Sequence, residues 1–205
     1  MIPTVAFDLD NVVVDILHSA RIAAAALAEV DPGEVVDTGI YYAPFAHADP
    51  ARAALMVTDH DFWQRRDILE NARPMDGAVD ALWRLSHSGR LRGYVTRRAP
   101  DVEDVTRSWI ERHGLPPATL RHVGHLEALR NRDACKAEIC HAIGATHLVD
   151  DSQDEADSAL GRGIVPILVD HPLGREAREA WRSRNPQVAL VPDAASAVEL
   201  LLRNI

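Results

Sequence analysis

The chain has 205 residues, of which 47% are hydrophobic and 26% are charged, and its formal net charge is −9. This composition is typical of a soluble globular protein, and the acidic balance argues against binding to a nucleic-acid polymer or an anionic membrane surface. No apolar run is long enough to span a bilayer and no signal peptide is recognisable, so we expect a cytoplasmic protein. Its two cysteines, Cys135 and Cys140, are expected to be unpaired thiols.

Short apolar segments alternate with amphipathic stretches along most of the chain. This alternation predicts βαβ units, and hence an α/β protein with a Rossmann-like parallel sheet in its core. The predicted strands are residues 3–7, 91–95, 120–123, 147–149, 165–169 and 188–191. The predicted helices are residues 77–87, 102–113, 134–143, 155–160, 175–184 and 194–202.

The alternation is interrupted between residues 14 and 73, where helices but no strands are expected. The helices predicted there are residues 16–30, 49–57 and 61–71. We therefore predict a core domain made of residues 1–13 and 74–205. Residues 14–73 are predicted to form a small helical insert after the first strand.

The first predicted strand ends in Asp8-Leu9-Asp10-Asn11-Val12, at the edge where an open parallel sheet binds its ligands. The like charges of Asp8 and Asp10 would raise the pKa of one of them unless a cation lay between them, so the pair favours a divalent metal. An Asp-rich chain also contains such pairs by chance. A second pair, Asp59 and Asp61, has no strand before it, and we interpret it as a helix cap.

The second predicted strand, residues 91–95, is followed by Thr96-Arg97-Arg98. A threonine hydroxyl and the backbone N–H groups beside it can hold a phosphate oxygen, although threonine also begins many turns. Arg97 would either contact the same phosphate or only follow the turn. Thr96 and Arg97 are therefore candidate phosphate-binding residues, and the third strand supplies no candidate.

The remaining candidates lie near the fourth predicted strand. Asp150 and Asp151 end this strand, and adjacent carboxylates there favour Mg²⁺, which prefers oxygen ligands. Lys136 is the single lysine among 22 basic residues. In a chain that otherwise uses arginine, this lysine indicates a place that needs a compact ammonium group; the alternative is an ordinary surface lysine.

Four elements of the chain resemble, in this order, the motifs of the haloacid dehalogenase (HAD) superfamily of phosphohydrolases. They are the segment from Asp8 to Val12, Thr96, Lys136 and Asp150-Asp151. The resemblance covers residues 1 to about 170. It implies that the insert is a helical cap of the type called C1. One departure is Asn11-Val12, which stands where Gly-Thr is common in the superfamily.

The resemblance implies a phosphatase mechanism. Asp8 would attack the phosphorus and form an aspartyl-phosphate, and Asp10 would protonate the leaving oxygen and then activate water. Dehalogenase members lack a carboxylate at the position of Asp10, so its presence favours a phosphatase. The alternatives are a phosphotransferase or sugar-phosphate mutase that uses the same intermediate, and a non-catalytic phosphate-binding or regulatory protein on the same fold.

The resemblance also implies ligands. Mg²⁺ would be held by Asp8, by the backbone carbonyl of Asp10, and by one or both of Asp150 and Asp151. The residues that would bind the transferring phosphoryl group are Thr96 and Lys136, with Lys136 also restraining Asp8. The partner would be a small phosphorylated metabolite, and the sequence predicts no oligomeric state.

Within the superfamily, the chain is similar in three features to the 5′(3′)-deoxyribonucleotidase-like branch. These features are the short insert, Phe62-Trp63 and Val149-Asp150-Asp151. This similarity suggests a nucleotide substrate. The candidate substrate contacts are Phe62, Trp63, Tyr41 and Tyr42. Phe62 and Trp63 are alternatively ordinary packing residues of an insert helix.

Overall fold

A six-stranded parallel sheet lies at the centre of the computed structural model, which describes residues 2–40, 43–56, 58–124 and 135–203. In chain order the strands are β1 (Val5–Phe7), β2 (Val14–Asp15), β3 (Val36–Asp37), β4 (Phe45–Ala46), β5 (Arg73–Pro74), β6 (Leu91–Thr96), β7 (Thr119–His122), β8 (His147–Asp150), β9 (Val165–Val169) and β10 (Ala189–Val191). The sheet has the order β10-β9-β8-β1-β6-β7, and its neighbouring strands are all parallel. The predicted α/β fold with a Rossmann-like sheet is confirmed.

The order of the strands shows where a ligand is expected. From β1 the chain continues to β6 and β7 on one side of the sheet, and it then crosses to β8, β9 and β10 on the other side. The reversal lies between β1 and β8, which pair with Phe7 beside Val149. The carboxyl ends of these two strands therefore form the topological switch point, where open α/β sheets bind their ligands.

Helices cover both faces of the sheet. In chain order they are α1 (Ile16–Ala28), α2 (Pro50–Ala53), α3 (His60–Trp63), α4 (Arg66–Asn71), α5 (Ala78–His87), α6 (Glu103–Arg112), α7 (Lys136–Ala142), α8 (Gln153–Gly161), α9 (Arg175–Arg184) and α10 (Ala194–Arg203). In the part of the chain that the structure describes, no helix has the length and apolar character needed to cross a membrane.

The sheet divides the hydrophobic core into two main clusters. Val5 and Phe7 of β1 belong to the larger cluster and Ala6 to the other, because successive strand residues point to opposite faces. The second cluster also contains Cys135 and Cys140, which are buried and unpaired, as expected. Burying a side chain such as that of Phe7 contributes about 1.5–3 kcal/mol, so packing on both faces holds the strand ends in place.

The insert contains short strands that the sequence did not predict. Strands β2 and β5 pair antiparallel at its two ends, with Val14 opposite Pro74, and β3 pairs with β4. The expectation of an insert without strands is therefore wrong. A two-residue strand has no periodic pattern and forms only because a distant partner lies beside it, so periodicity could not reveal it. The division into a core domain and an insert stays a prediction.

The helices of the insert also differ in detail from the prediction. The helix predicted over residues 61–71 is two helices, α3 and α4, separated by Gln64 and Arg65. Asp59 caps α3, as predicted, by accepting a hydrogen bond from the backbone N–H of Phe62 at 2.9 Å. Oε1 of Gln64 accepts a hydrogen bond from the backbone N–H of Ala99 at 2.7 Å. The break between the helices thus brings the insert into contact with the loop after β6.

The end of the insert is attached to the core through α6. The indole Nε1 of the buried Trp109 donates a hydrogen bond to the carbonyl of Ala72 at 2.7 Å. Arg66 and Asp104 form an ion pair between the same two regions, but both side chains are exposed. Exposed ion pairs contribute only about 0–1 kcal/mol, so we attribute most of this attachment to Trp109.

Candidate active site

Asp8 follows β1 directly. Its backbone N–H donates to the carbonyl of Val149 at 2.9 Å, which extends the pairing of β1 with β8 by one residue. The chain then turns sharply, since the carbonyl of Leu9 accepts hydrogen bonds from three later N–H groups, two of them at 2.8 Å and one at 3.3 Å. Asn11 in this turn has a left-handed φ of 61°, which asparagine adopts more readily than most residues. The turn keeps Asp8 and Asp10 at the carboxyl end of the sheet.

Lys136 is buried at the start of α7, with 2% of its surface exposed. Its Nζ lies 2.9 Å from Oδ2 of Asp8 and 2.8 Å from Oδ2 of Asp150, so the ammonium group bridges the ends of β1 and β8. Burial lowers the pKa of Lys136, but attraction by these carboxylates outweighs burial and raises the pKa well above its ordinary value. Lys136 is therefore a charged, buried residue, and the surface-lysine alternative is wrong.

Three carboxylates meet beside this lysine. One oxygen from each of Asp8, Asp150 and Asp151 lies within 4.8 Å of the other two. Burial raises the pKa of Asp8 well above its ordinary value although Lys136 opposes this, and burial together with Asp150 raises the pKa of Asp151 to about 6. Oδ1 of Asp8 is buried without a hydrogen-bond partner among the described residues. Three crowded carboxylates, whose like charges call for a counter-ion, fit a hard divalent cation such as Mg²⁺.

We expect Mg²⁺ to raise the melting temperature by roughly 5–10 °C at pH 7.5, at a concentration about 100 times its Kd, and to lose this effect near pH 5. The reason is that the cation must displace protons. Because the pKa of Asp151 is about 6, protonation competes weakly with the metal above this pH and strongly below it. Thermal-shift measurements at both pH values test this, with Asp151→Asn as a matched variant that should respond less. A shift that is equal at both pH values would contradict the prediction.

The side chain of Asp10 is paired with Arg98 instead of joining the carboxylate cluster. Nη2 of Arg98 donates to Oδ1 of Asp10 at 2.7 Å, and Nε donates to Oδ2 at 3.1 Å. The Arg98 side chain is 1% exposed, whereas that of Asp10 is 25% exposed. Arg98 therefore orients the carboxyl group of Asp10. The part of Asp10 in metal binding stays a prediction that concerns its backbone carbonyl.

The two candidate phosphate-binding residues at the end of β6, Thr96 and Arg97, already have partners. Thr96 is fully buried, and its Oγ1 accepts a hydrogen bond from the backbone N–H of Arg98 at 3.2 Å. Arg97 pairs with the buried Glu155 of α8, with Nε at 2.5 Å from Oε1. Nη1 of Arg97 is buried without a partner among the described residues, which leaves one donor for a ligand. Thr96 thus makes a turn contact, and the phosphate-binding roles of both residues stay predictions.

Asp151 is held by residues from two other parts of the chain. Nδ2 of Asn11 donates to its Oδ2 at 3.2 Å. Nε of the buried Arg178 on α9 donates to its backbone carbonyl at 3.3 Å, and Nη1 of the same arginine donates to the carbonyl of His171 at 2.6 Å. The C-terminal part of the chain therefore fixes the backbone at the end of β8.

Two of the candidate substrate contacts on the insert, Phe62 and Trp63, differ in how deeply they are buried. Phe62 is 4% exposed and belongs to the main core cluster, whereas Trp63 is only partly buried. Their rings meet edge to face, with centroids 5.5 Å apart. This arrangement corresponds to the packing alternative for Phe62, while Trp63 keeps an accessible surface. Tyr41 and Tyr42 lie outside the described residues, and their roles stay predictions.

Sequence reasoning missed three buried charged residues that support the site. Arg98 lies at the same strand end as Arg97, but only Arg97 was predicted to contact the phosphate. Glu155 and Arg178 lie on helices whose other charged residues are mostly exposed, so nothing in their spacing marks them. The signal that could have found Arg98 is its position two residues after Thr96, at the ligand edge of the sheet.

The comparison with curated proteins finds a partial relative. A protein of Halalkalibacterium halodurans, named as a candidate nucleotidase, is 28% identical over 130 residues, which cover 60% of this chain and 61% of that protein. The match thus spans about three fifths of the relative's length. No family profile matches the chain.

Solved structures match along nearly the whole chain. An HAD family hydrolase from Deinococcus radiodurans with bound phosphate and sodium gives a TM-score of 0.63 at 17% identity, covering 98% of this chain and 95% of that one. An L-2-haloacid dehalogenase from Xanthobacter autotrophicus gives 0.58 at 16% identity, over all of both chains. This chain has the HAD superfamily fold. A candidate β-phosphoglucomutase from Thermotoga maritima shares the HAD fold, with a TM-score of 0.59 at 15% identity over all of both chains. Identities as low as these show the fold and not the activity.

Proposed function

We propose that this chain is a cytoplasmic, Mg²⁺-dependent phosphatase that hydrolyses a small phosphomonoester through an aspartyl-phosphate. The observation that carries the proposal is that the two carboxyl oxygens of Asp8 have different surroundings. Its Oδ2 is held by Lys136 at 2.9 Å, while its Oδ1 is buried without a partner among the described residues, beside Asp150 and Asp151. A carboxylate with one fixed and one free oxygen at a strand end is suited to nucleophilic attack.

The reaction would proceed in two steps. Oδ1 of Asp8 attacks the phosphorus, the bond from phosphorus to the ester oxygen breaks, and Asp10 gives its proton to the departing alcohol. A water molecule then attacks the phosphorus of the aspartyl-phosphate while Asp10 accepts a proton from it. The bond from phosphorus to Asp8 breaks, which releases inorganic phosphate and restores both carboxyl groups to their starting states.

Charge neutralisation is the main requirement of such a transfer. When bound, Mg²⁺ would supply positive charge opposite the phosphoryl oxygens and so allow a dianion to enter an acidic site. Asp8, Asp150 and Asp151 would hold it, together with the carbonyl of Asp10. Among the described residues, the cations that could face the phosphoryl group include Lys136, which bridges two carboxylates, and Arg97, whose Nη1 has no partner there.

Nucleoside monophosphates are the substrate class that we propose first. The partial relative from Halalkalibacterium halodurans is named as a candidate nucleotidase. The partly exposed ring of Trp63 on the insert supports this choice, because an aromatic ring can stack on a base. Phosphate transfer to another hydroxyl, as in a mutase, is a second candidate because the structure from Thermotoga maritima shares the fold. A non-catalytic role is disfavoured by the intact set of charged residues around Asp8.

A panel of phosphomonoesters tests the proposal. The wild-type protein should release phosphate from 4-nitrophenyl phosphate and faster from one of the nucleoside monophosphates, in the presence of Mg²⁺ and not after treatment with EDTA. Phosphate release in ¹⁸O-labelled water separates the two reaction types, since a hydrolase incorporates solvent oxygen into phosphate and a mutase moves phosphate between hydroxyls. Inactivity on the whole panel with Mg²⁺ present would overturn the proposal.

A further inference from the structure

Arg98 pairs with both oxygens of the Asp10 carboxyl group. Nη2 and Nε of Arg98 contact the two oxygens of Asp10 at 2.7 Å and 3.1 Å. The third nitrogen, Nη1, donates to Oγ1 of Thr106 at 3.2 Å, and this hydroxyl in turn donates to the carbonyl of Val102 at 3.0 Å. All three guanidinium nitrogens therefore have partners, and α6 anchors the group.

The backbone of Arg98 is fixed as well. Its N–H donates to Oγ1 of Thr96 at 3.2 Å, and its carbonyl lies 3.2 Å from Nδ1 of His122. A guanidinium group is a planar fork, and when its own position is fixed it restricts a carboxylate to one orientation. Because the side chain is fully buried, Arg98 cannot act as a solvated surface charge.

The side chains of Arg98 and Asp10 differ in exposure, and this difference suggests why the orientation of the Asp10 carboxyl group is fixed. Arg98 is buried, but the Asp10 side chain keeps 25% of its surface exposed. Oδ1 of Asp10 carries the shorter contact, and Oδ2 carries a longer one. Nε of Arg98 also lies 3.2 Å from Oδ1, so the guanidinium contacts both carboxyl oxygens and fixes their orientation, while the Asp10 side chain as a whole stays partly accessible. That is the arrangement needed by a group that must exchange a proton with a substrate oxygen or with water.

We propose that Arg98 is a positioning residue, which aims the carboxyl group of Asp10 at the leaving oxygen of the substrate. This inference rests on the proposed phosphatase function. It assigns a task to a residue that contacts neither the three-carboxylate cluster nor Lys136, and it predicts a specific kinetic signature. Loss of Arg98 should impair the step in which the leaving group is protonated, and it should leave kcat/KM nearly unchanged for substrates whose leaving group needs no proton.

The kinetic effect of losing Arg98 can be measured by comparing two substrates whose leaving groups differ in basicity. The anion of 4-nitrophenol departs without a proton, whereas the anion of benzyl alcohol is far more basic and needs one. In Arg98→Met, we expect kcat/KM to fall about 100-fold for benzyl phosphate and less than about threefold for 4-nitrophenyl phosphate. Asp10→Asn should show the same selectivity. The double variant should be no worse than Asp10→Asn, because both changes remove the same function.

Two further variants make the result interpretable. Arg107→Met removes an exposed arginine of α6 that pairs with Glu103, and it should leave both substrates unaffected. Thr106→Val removes only the hydroxyl that anchors Arg98. It should reduce kcat/KM for benzyl phosphate roughly tenfold with little effect on kcat/KM for 4-nitrophenyl phosphate, and it decides the question if Arg98→Met does not fold.

Equal losses on the two substrates in Arg98→Met and in Thr106→Val would overturn the role of Arg98, and so would unchanged kinetics in both. In either case an active wild-type protein would leave the phosphatase proposal standing. A wild-type protein that is inactive on both substrates and on the whole panel of phosphomonoesters, with Mg²⁺ present, would overturn the phosphatase proposal and this inference together.

Discussion

Replacing Asp8 by Asn is expected to lower kcat for phosphate release by about 10⁴-fold or more, as is usual when a nucleophile is removed. The amide keeps the size of the side chain but lacks the charged oxygen that would bond to phosphorus. It also lacks the charge that holds Lys136 at 2.9 Å and that would help to bind a cation. The measurement is the rate of phosphate release from 4-nitrophenyl phosphate and from the best substrate of the panel.

The control for this experiment is a carboxylate outside the site. Asp80 lies exposed on α5, and Asp80→Asn should retain wild-type activity. Circular dichroism should show that Asp8→Asn keeps its secondary structure. Full turnover by Asp8→Asn, in a preparation from a host strain without background phosphatases, would exclude Asp8 as the nucleophile and with it the aspartyl-phosphate route.

Replacing Lys136 by Met is expected to reduce activity at least 100-fold and to lower the free energy of unfolding at pH 7.5 by about 3–5 kcal/mol. The ammonium contacts Asp8 and Asp150 at 2.9 Å and 2.8 Å, and all three groups are buried. Methionine fills a similar volume but leaves both carboxylates without their cation. Removing one member of a buried charge cluster costs more than removing an exposed charge, because the remaining members stay desolvated.

This loss of stability should depend on pH, in a direction that follows from the carboxylates. Burial raises the pKa of Asp8 and of Asp150, and Lys136 opposes that rise in both. Without Lys136 their pKa values rise further, so the folded variant binds more protons than its unfolded chain. The deficit against the wild type should therefore be largest at neutral pH and should shrink as the pH falls towards 4. Urea unfolding at several pH values measures it, and a deficit that does not change with pH would contradict this explanation.

The variant Lys136→Arg tests whether the site needs only a positive charge at this position or also the compact shape of the ammonium group. Arginine preserves the charge, so we expect this variant to be more stable than Lys136→Met. Its larger planar group cannot place one nitrogen between Asp8 and Asp150 as the ammonium does, so activity should still fall about tenfold or more. Wild-type activity in Lys136→Arg would show that the single lysine is not needed for its compact geometry.

Several parts of this picture were available from the sequence. The alternation of apolar and amphipathic segments predicted the parallel sheet, and the strand-end positions of Asp8 and Asp150 predicted that they would come together. Lys136 stood out because the chain uses arginine almost everywhere else. These inferences succeeded because they depend on local periodicity and on one general property of parallel sheets, the convergence of their carboxyl ends.

Other features depended on contacts between distant segments. Arg98 and Arg178 look like ordinary charged residues in the sequence, and only packing shows that one holds Asp10 and the other holds the carbonyl of Asp151. The short strands at the ends of the insert likewise exist only in each other's presence. The sequence by itself determined the fold class and the residues at the ligand edge, because both follow from short-range patterns. Only the tertiary structure decided which charges are buried together, because the burial and pairing of a charge depend on residues far away in the chain.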